Sequence, residues 1–153
     1  MTTYPTVELD PVQRMCALAA ALPHAVYREA VFDAPLDRVW SLVGDLEQGA
    51  PQFEIGVREA KIVSRSGDTL ELVATNKLGM KTRFDVVLRP GWCIMKSRVT
   101  QIGMAVAEEP DGRTRFAHFE QARVAGWFFR PILRANIAHD FWRIAEIMRA
   151  SPG

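Results

Sequence analysis

Four turn signals divide residues 56–123 into short segments, and this punctuation constrains the fold more than any other feature of the chain. The turns are Ser66-Gly67-Asp68, Leu78-Gly79, Pro90-Gly91 and Pro110-Asp111-Gly112. Each pairs a glycine or proline with residues that readily leave extended geometry. The intervening segments, 56–64, 69–76, 81–89, 92–100, 102–109 and 113–123, are rich in β-formers. Leu70, Leu72 and Ala74 alternate onto one face of their segment, and Thr82, Phe84, Val86 and Leu88 onto one face of the next. Even spacing, tight turns and period-two alternation predict an antiparallel meander.

The elements outside the meander are helical, apart from one strand. Asp10-Pro11 reads as a helix start, with aspartate as cap and proline at the first helical position. Met15, Leu18 and Leu22 follow at helical spacing, and Pro23 ends the helix. Packing on the body of its own domain is the favoured role for this helix; a lid or the contact of a homodimer is the sharper alternative. Residues 1–9 read as a tail. Residues 24–33 predict a strand, and Asp33-Ala34-Pro35 opens a second helix with core positions Leu36, Val39, Trp40, Val43 and Leu46. Gly49 and Pro51 are expected to end it, leaving Phe53 in a loop. The last helix is predicted over 131–150. There Leu133, Ile137, Phe141, Ile144 and Met148 share an arc, His139, Arg143 and Glu146 lie opposite, and Asp140 and Arg134 flank it.

Bulk properties narrow the function classes. The 153 residues suit one core, here divided into a tail and accessory helix over 1–23 and a main domain over 24–150. A net charge of +1, from 19 basic and 18 acidic side chains, leaves no basic stripe for a nucleic acid. No apolar run approaches the roughly 20 residues of a membrane span, so no stable membrane insertion is expected. Cys16 and Cys93 are isolated thiols, which suits a reducing cytoplasm. The apolar stretch 15–22 could imitate a leader, but Glu8 and Asp10 precede it with only Arg14 for positive charge.

The order strand, helix, short loop, six strands and long helix, together with local text, resembles the START/SRPBCC helix-grip superfamily. Val31-Phe32-Asp33-Ala34-Pro35-Leu36-Asp37-Arg38-Val39-Trp40 resembles the opening strand and helix of that superfamily, and Asp45-Leu46, Pro51 and Phe53 the segment after it. Asp111-Gly112-Arg113-Thr114-Arg115-Phe116-Ala117-His118-Phe119-Glu120 resembles its last hairpin and strand. The resemblance covers residues 25–150. It implies an α+β chain with a curved antiparallel sheet wrapped around a long C-terminal helix, here with an extra N-terminal helix. It also implies a cavity for a lipid, sterol, quinone or polyketide-sized molecule. The motifs are structural, so they identify a fold better than a reaction.

Within such a cavity the expected lining is Phe53, Phe84, Met95, Met104, Phe116, Trp127, Ile137 and Phe141, each equally open to plain core packing. Trp127 lies in the stretch 125–129, an aromatic-rich connection that either closes the cavity mouth or packs. If Phe116 points inward, Thr114, His118 and Glu120 follow it. His118 and Glu120 would then form an acid/base pair for a cyclase-type reaction, or a hydrogen-bonded pair that orients a ligand or satisfies itself, which is the favoured role. The opposite register, with Ala117, Phe119 and Gln121 inward, stays open because both faces carry an aromatic. Asp140 could meet Arg98, Arg58 or His118 inside, and Arg98 and Asp140 complete the ligand-binding candidates.

No cofactor is expected. The three histidines lack a zinc-binding spacing, so no metal is predicted, and neither a phosphate loop nor a serine elbow is present. Three functions follow. The first is binding or transport of a small hydrophobic molecule. The second is an aromatase/cyclase-like enzyme acting on a polyketide-type substrate. The third is an interaction module. A filled core would favour the third, and a cavity of roughly 300 Å³ or more the first two.

Overall fold

The computed structural model describes residues 1, 3 and 6–150, so part of the tail expected over 1–9 lies outside the described residues. Eleven elements follow one another: α1 (Pro11–Ala21), β1 (Val26–Phe32), α2 (Leu36–Val43), α3 (Ala50–Phe53), β2 (Glu59–Ser66), β3 (Thr69–Thr75), β4 (Lys81–Arg89), β5 (Trp92–Lys96), β6 (Thr100–Glu108), β7 (Thr114–Ala122) and α4 (Gly126–Ala150). The strands form one antiparallel sheet in the order β1-β7-β6-β5-β4-β3-β2. The meander is present as predicted. Gly67, Gly79, Gly91 and Gly112 all take positive φ at its turns, the conformation that glycine adopts without steric cost. Among the described residues no helix is long and apolar enough to cross a membrane.

Two clusters hold the sheet, one on each face. On the inner face Ile137, Phe141, Ile144 and Met148 of α4 pack against Phe32 and Phe116. The rings of Phe116 and Phe141 stand 5.2 Å apart, and Phe32 lies 6.1 Å from each. Full burial of an aromatic or branched side chain contributes about 1.5–3 kcal/mol, so this arc is the main tie between helix and sheet. On the outer face Val12, Met15 and Ala19 of α1 lie on Gly103, Ala105 and Ala107 of β6 and on Ala117 and Phe119 of β7. Small residues on those strands let α1 approach closely. Asp10 caps the helix by accepting from the Gln13 backbone N–H, 2.8 Å away, and its carboxylate also pairs with Arg115 of β7.

The register of β7, open from the sequence, follows from these two layers. Phe116 and His118 face α4, while Ala117 and Phe119 face α1. Both faces carry aromatics because both are covered.

Three helix boundaries differ from the sequence reading. The second helix ends at Val43, before Gly49, and Pro51 falls inside the short helix α3, which carries Phe53. Proline is tolerated there because the first turn of a helix has no internal partner for that N–H. The last helix begins at Gly126, with Pro131 inside it. The amide hydrogen missing at Pro131 would have bonded the Trp127 carbonyl one turn back. Trp127 is exposed, so water can satisfy that oxygen. The aromatic stretch is therefore the first turn of α4, with Trp127 and Phe128 69% and 60% exposed.

Candidate functional site

Four polar side chains from three separate elements meet beneath α4. His118 and Glu120 come from β7, Asp140 from the buried side of α4, and Glu54 from the residue that ends α3. His118 is fully buried. Its Nδ1 lies 3.0 Å from the Gly103 carbonyl oxygen. A carbonyl can only accept, so Nδ1 carries a hydrogen. That leaves Nε2 directed at two carboxylates, Glu120 Oε1 at 3.4 Å and Asp140 Oδ2 at 3.7 Å. The other oxygen of Asp140 accepts from the Ile55 backbone N–H at 3.2 Å. This bond ties the segment after α3 to the middle of α4.

Charge in this cluster is set by burial and by the neighbours. Burial opposes charging of His118, but its contacts with Asp140 and Glu120 and the charges of Glu120 and Glu54 outweigh it and push the imidazole up to about 10. The ring is then an imidazolium at neutral pH, donating from both nitrogens. Glu54 is only 8% exposed, and its Oε1 is buried without a hydrogen-bond partner. Burial pushes its carboxyl up to about 8; His118 opposes this shift, and Asp140 and Glu120 reinforce it.

A cavity of about 190 Å³ opens beside these groups. It falls short of the roughly 300 Å³ of ordinary ligand sites. Leu46, Leu72, Phe84, Met95 and Ile102 line its apolar walls, and Glu54, Glu120 and Asp140 its polar end. Ile55, Gly56 and Met80 on the wall are exposed, which places the mouth between the α3–β2 connection and the β3–β4 turn. The position of the cavity follows from how the helices cover the sheet. α4 packs on β1 and β7 and α2 on β6, while the inner face of β3 to β5 has only thin helical cover.

Of the side chains singled out from sequence, Phe84, Met95, Glu120 and Asp140 stand on the cavity wall. Phe53, Met104, Phe116, Ile137 and Phe141 are buried in the inner core, behind the wall. His118 lies behind Glu120 and Asp140. Trp127 projects outward from the first turn of α4, and Arg98 sits exposed in the turn after β5. Asp140 meets His118 and leaves Arg58 and Arg98 in solvent. Glu54 escaped the sequence reading. It sits in no periodic pattern, and only tertiary packing brings it to the cluster.

The donor atoms of His118, Glu120 and Asp140 all fall within 4.8 Å of one another. No spacing rule for histidines detects such a set, because it holds a single histidine and Asp140 comes from the next element, α4.

The fold is that of a START-like helix-grip structure. A START superfamily protein from Mycobacterium smegmatis has the same fold, with a TM-score of 0.63 at 13% identity over 82% of this chain and 97% of that one. A Bacillus halodurans protein gives 0.63 at 18% identity over 82% and 96%. The di-domain ARO/CYC BexL from the BE-7585A biosynthetic pathway gives 0.62 at 18% identity over 92% of this chain, which spans 55% of BexL. No protein-family model and no curated protein matches the sequence.

Proposed function

We propose that the protein binds a small, mainly apolar molecule in the cavity between the sheet and α4. One observation carries this reading: apolar walls lead to a polar end of Glu54, Glu120 and Asp140 that is otherwise sealed in the core. Small binding sites are built in this way, with apolar surface for affinity and a few fixed polar groups for orientation. The volume of about 190 Å³ limits the occupant to one compact group, unless the mouth widens between Ile55 and Met80. His118 is a positioning residue here. It holds Glu120 and Asp140 in place from behind the wall.

Mass spectrometry after native and denaturing extraction tests this. A stoichiometric small molecule released only on denaturation supports the reading. A protein that comes out empty and whose melting temperature ignores a panel of small apolar compounds sinks it.

A second reading, an enzyme of the ARO/CYC type, has an observation of its own. Glu54 faces the cavity as a neutral carboxylic acid at pH 7, able to donate to a substrate carbonyl. It ranks second because the imidazole is screened from the cavity by the two carboxylates and already carries its proton. Turnover would have to rest on Glu54, Glu120 and Asp140 alone.

A further inference from the structure

We infer that the polar end of the cavity receives a cationic nitrogen, so that the ligand is a small apolar amine bound as its ammonium ion. The inference rests on the proposed binding role and names the chemical class of the ligand.

Three observations support it. First, the wall carries three carboxyl groups, Glu54, Glu120 and Asp140, and no lysine, arginine or histidine. His118 serves both Glu120 and Asp140 from behind, so the end of the cavity stays acidic. A fatty acid, a phosphate headgroup or any other anion would enter against the charges of Glu120 and Asp140. Like charges a few ångström apart in a partly buried site repel more strongly than they do in water.

Second, Glu54 Oε1 is buried and has no partner. A buried acceptor left unsatisfied destabilises the fold, and such groups in folded proteins call for a partner. A donor arriving through the cavity would supply it.

Third, the carboxyl groups come from three elements, α3, β7 and α4, and converge on one end of an apolar chamber. A primary ammonium has three N–H donors to distribute among them. An organic cation also uses the Leu72, Phe84 and Met95 walls, which a bare metal ion would leave idle. The metal alternative fits the geometry less well. The donors of His118, Glu120 and Asp140 spread over as much as 4.8 Å. Metal bonds of about 2.0–2.2 Å in a tetrahedral site place the donors about 3.3–3.6 Å apart. His118 would also have to give up its Nε2 hydrogen.

The test compares three probes of matched shape on the full chain at pH 7: 2-phenylethylamine, 2-phenylethanol and phenylacetate, each titrated calorimetrically and by thermal shift. The amine should bind about tenfold tighter than the alcohol, the difference between a charge-assisted and a neutral hydrogen bond, and phenylacetate should not bind measurably. Glu120→Gln should weaken the amine and leave the alcohol unchanged; the variant keeps the side-chain shape, and circular dichroism confirms folding. Equal binding of amine and alcohol, or a preference for phenylacetate, overturns the ammonium assignment while the cavity-binding role survives. Binding of none of the three overturns the assignment, and the extraction experiment then judges the cavity role separately. Stoichiometric Zn²⁺ or Mn²⁺ retained through gel filtration and blocking the amine would also overturn it, in favour of an inorganic cation.

Discussion

The ring of Phe119 lies directly over Gly103, its register partner on the outer face of the sheet. A Cβ placed on Gly103 would stand 2.1 Å from that ring and 2.6 Å from the sulfur of Met15. The same glycine holds His118 through its carbonyl oxygen. One residue without a side chain thus lets α1 seat on one face and orients the imidazole on the other.

Gly103→Ala should therefore destabilise the protein by about 1–3 kcal/mol, the usual cost of overpacking a close contact. Phe119 and Met15 are both fully buried and cannot swing into solvent. Urea denaturation measures the loss. Unchanged stability would mean that α1 shifts freely over the sheet.

His118→Asn should cost more. It removes the cation between two carboxylates, of which Asp140 is buried, and it breaks the bond to Gly103. Breaking a buried ion pair from one side costs about 3–5 kcal/mol. Adding Asp140→Asn to the variant should recover part of that loss, because it removes a charge left without its partner. A double variant no more stable than the single one would place the cost of His118→Asn in packing alone.

Stability should fall as the solution becomes alkaline. Glu54 is raised from 4.5 to about 8 and His118 from 6.5 to about 10 in the folded state. In each case the native chain holds a proton that the unfolded chain has released. The contribution of Glu54 is complete below about 4.5 and lost as pH rises through 8; that of His118 is complete below about 6.5 and lost through 10. The two windows overlap between 6.5 and 8, where each group has a limiting slope of about 1.4 kcal/mol per pH unit. The groups facing His118 are Glu120, Asp140 and Glu54; Arg28, its register partner on β1, is exposed over the Phe141 ring. Denaturation midpoints from pH 5 to 10 should decline, and Glu54→Gln should flatten the lower half of the decline. A rising profile would contradict the charge states assigned here.

Filling the cavity should separate binding from folding. Ala74 of β3 lines the wall, and Ala74→Leu adds apolar volume inside it. The variant should be as stable as the parent or somewhat more stable, since it fills empty space, and should lose any co-purifying molecule and any response to the amine probe. Retention of both would move the binding site elsewhere.

The inner faces of the meander could be read directly. Leu70, Leu72, Phe84 and Val86 alternate with polar residues, and each is buried on the inner face. The apolar arc of α4 from Ile137 to Met148 was equally plain, because helical periodicity is a local property of the chain. The site was less legible. His118, Glu120 and Asp140 could be named as candidates, but β7 carries aromatics on both faces, so alternation alone could not say which side His118 joins. That depended on α1, whose Met15 covers Phe119 from the outer side and leaves Phe116 and His118 to α4. Glu54 belongs to no pattern at all. It enters the cavity because α3 packs on α4 and Asp140 captures the Ile55 amide.

The sequence by itself determined the order of the elements, the turns and the apolar stripe of each helix, since each depends on neighbours a few residues away. The tertiary structure alone decided which face of β7 lines the site, that Glu54 stands beside His118, and that the space left over is about 190 Å³. These depend on how layers distant in the chain stack against one another, and no local period encodes that.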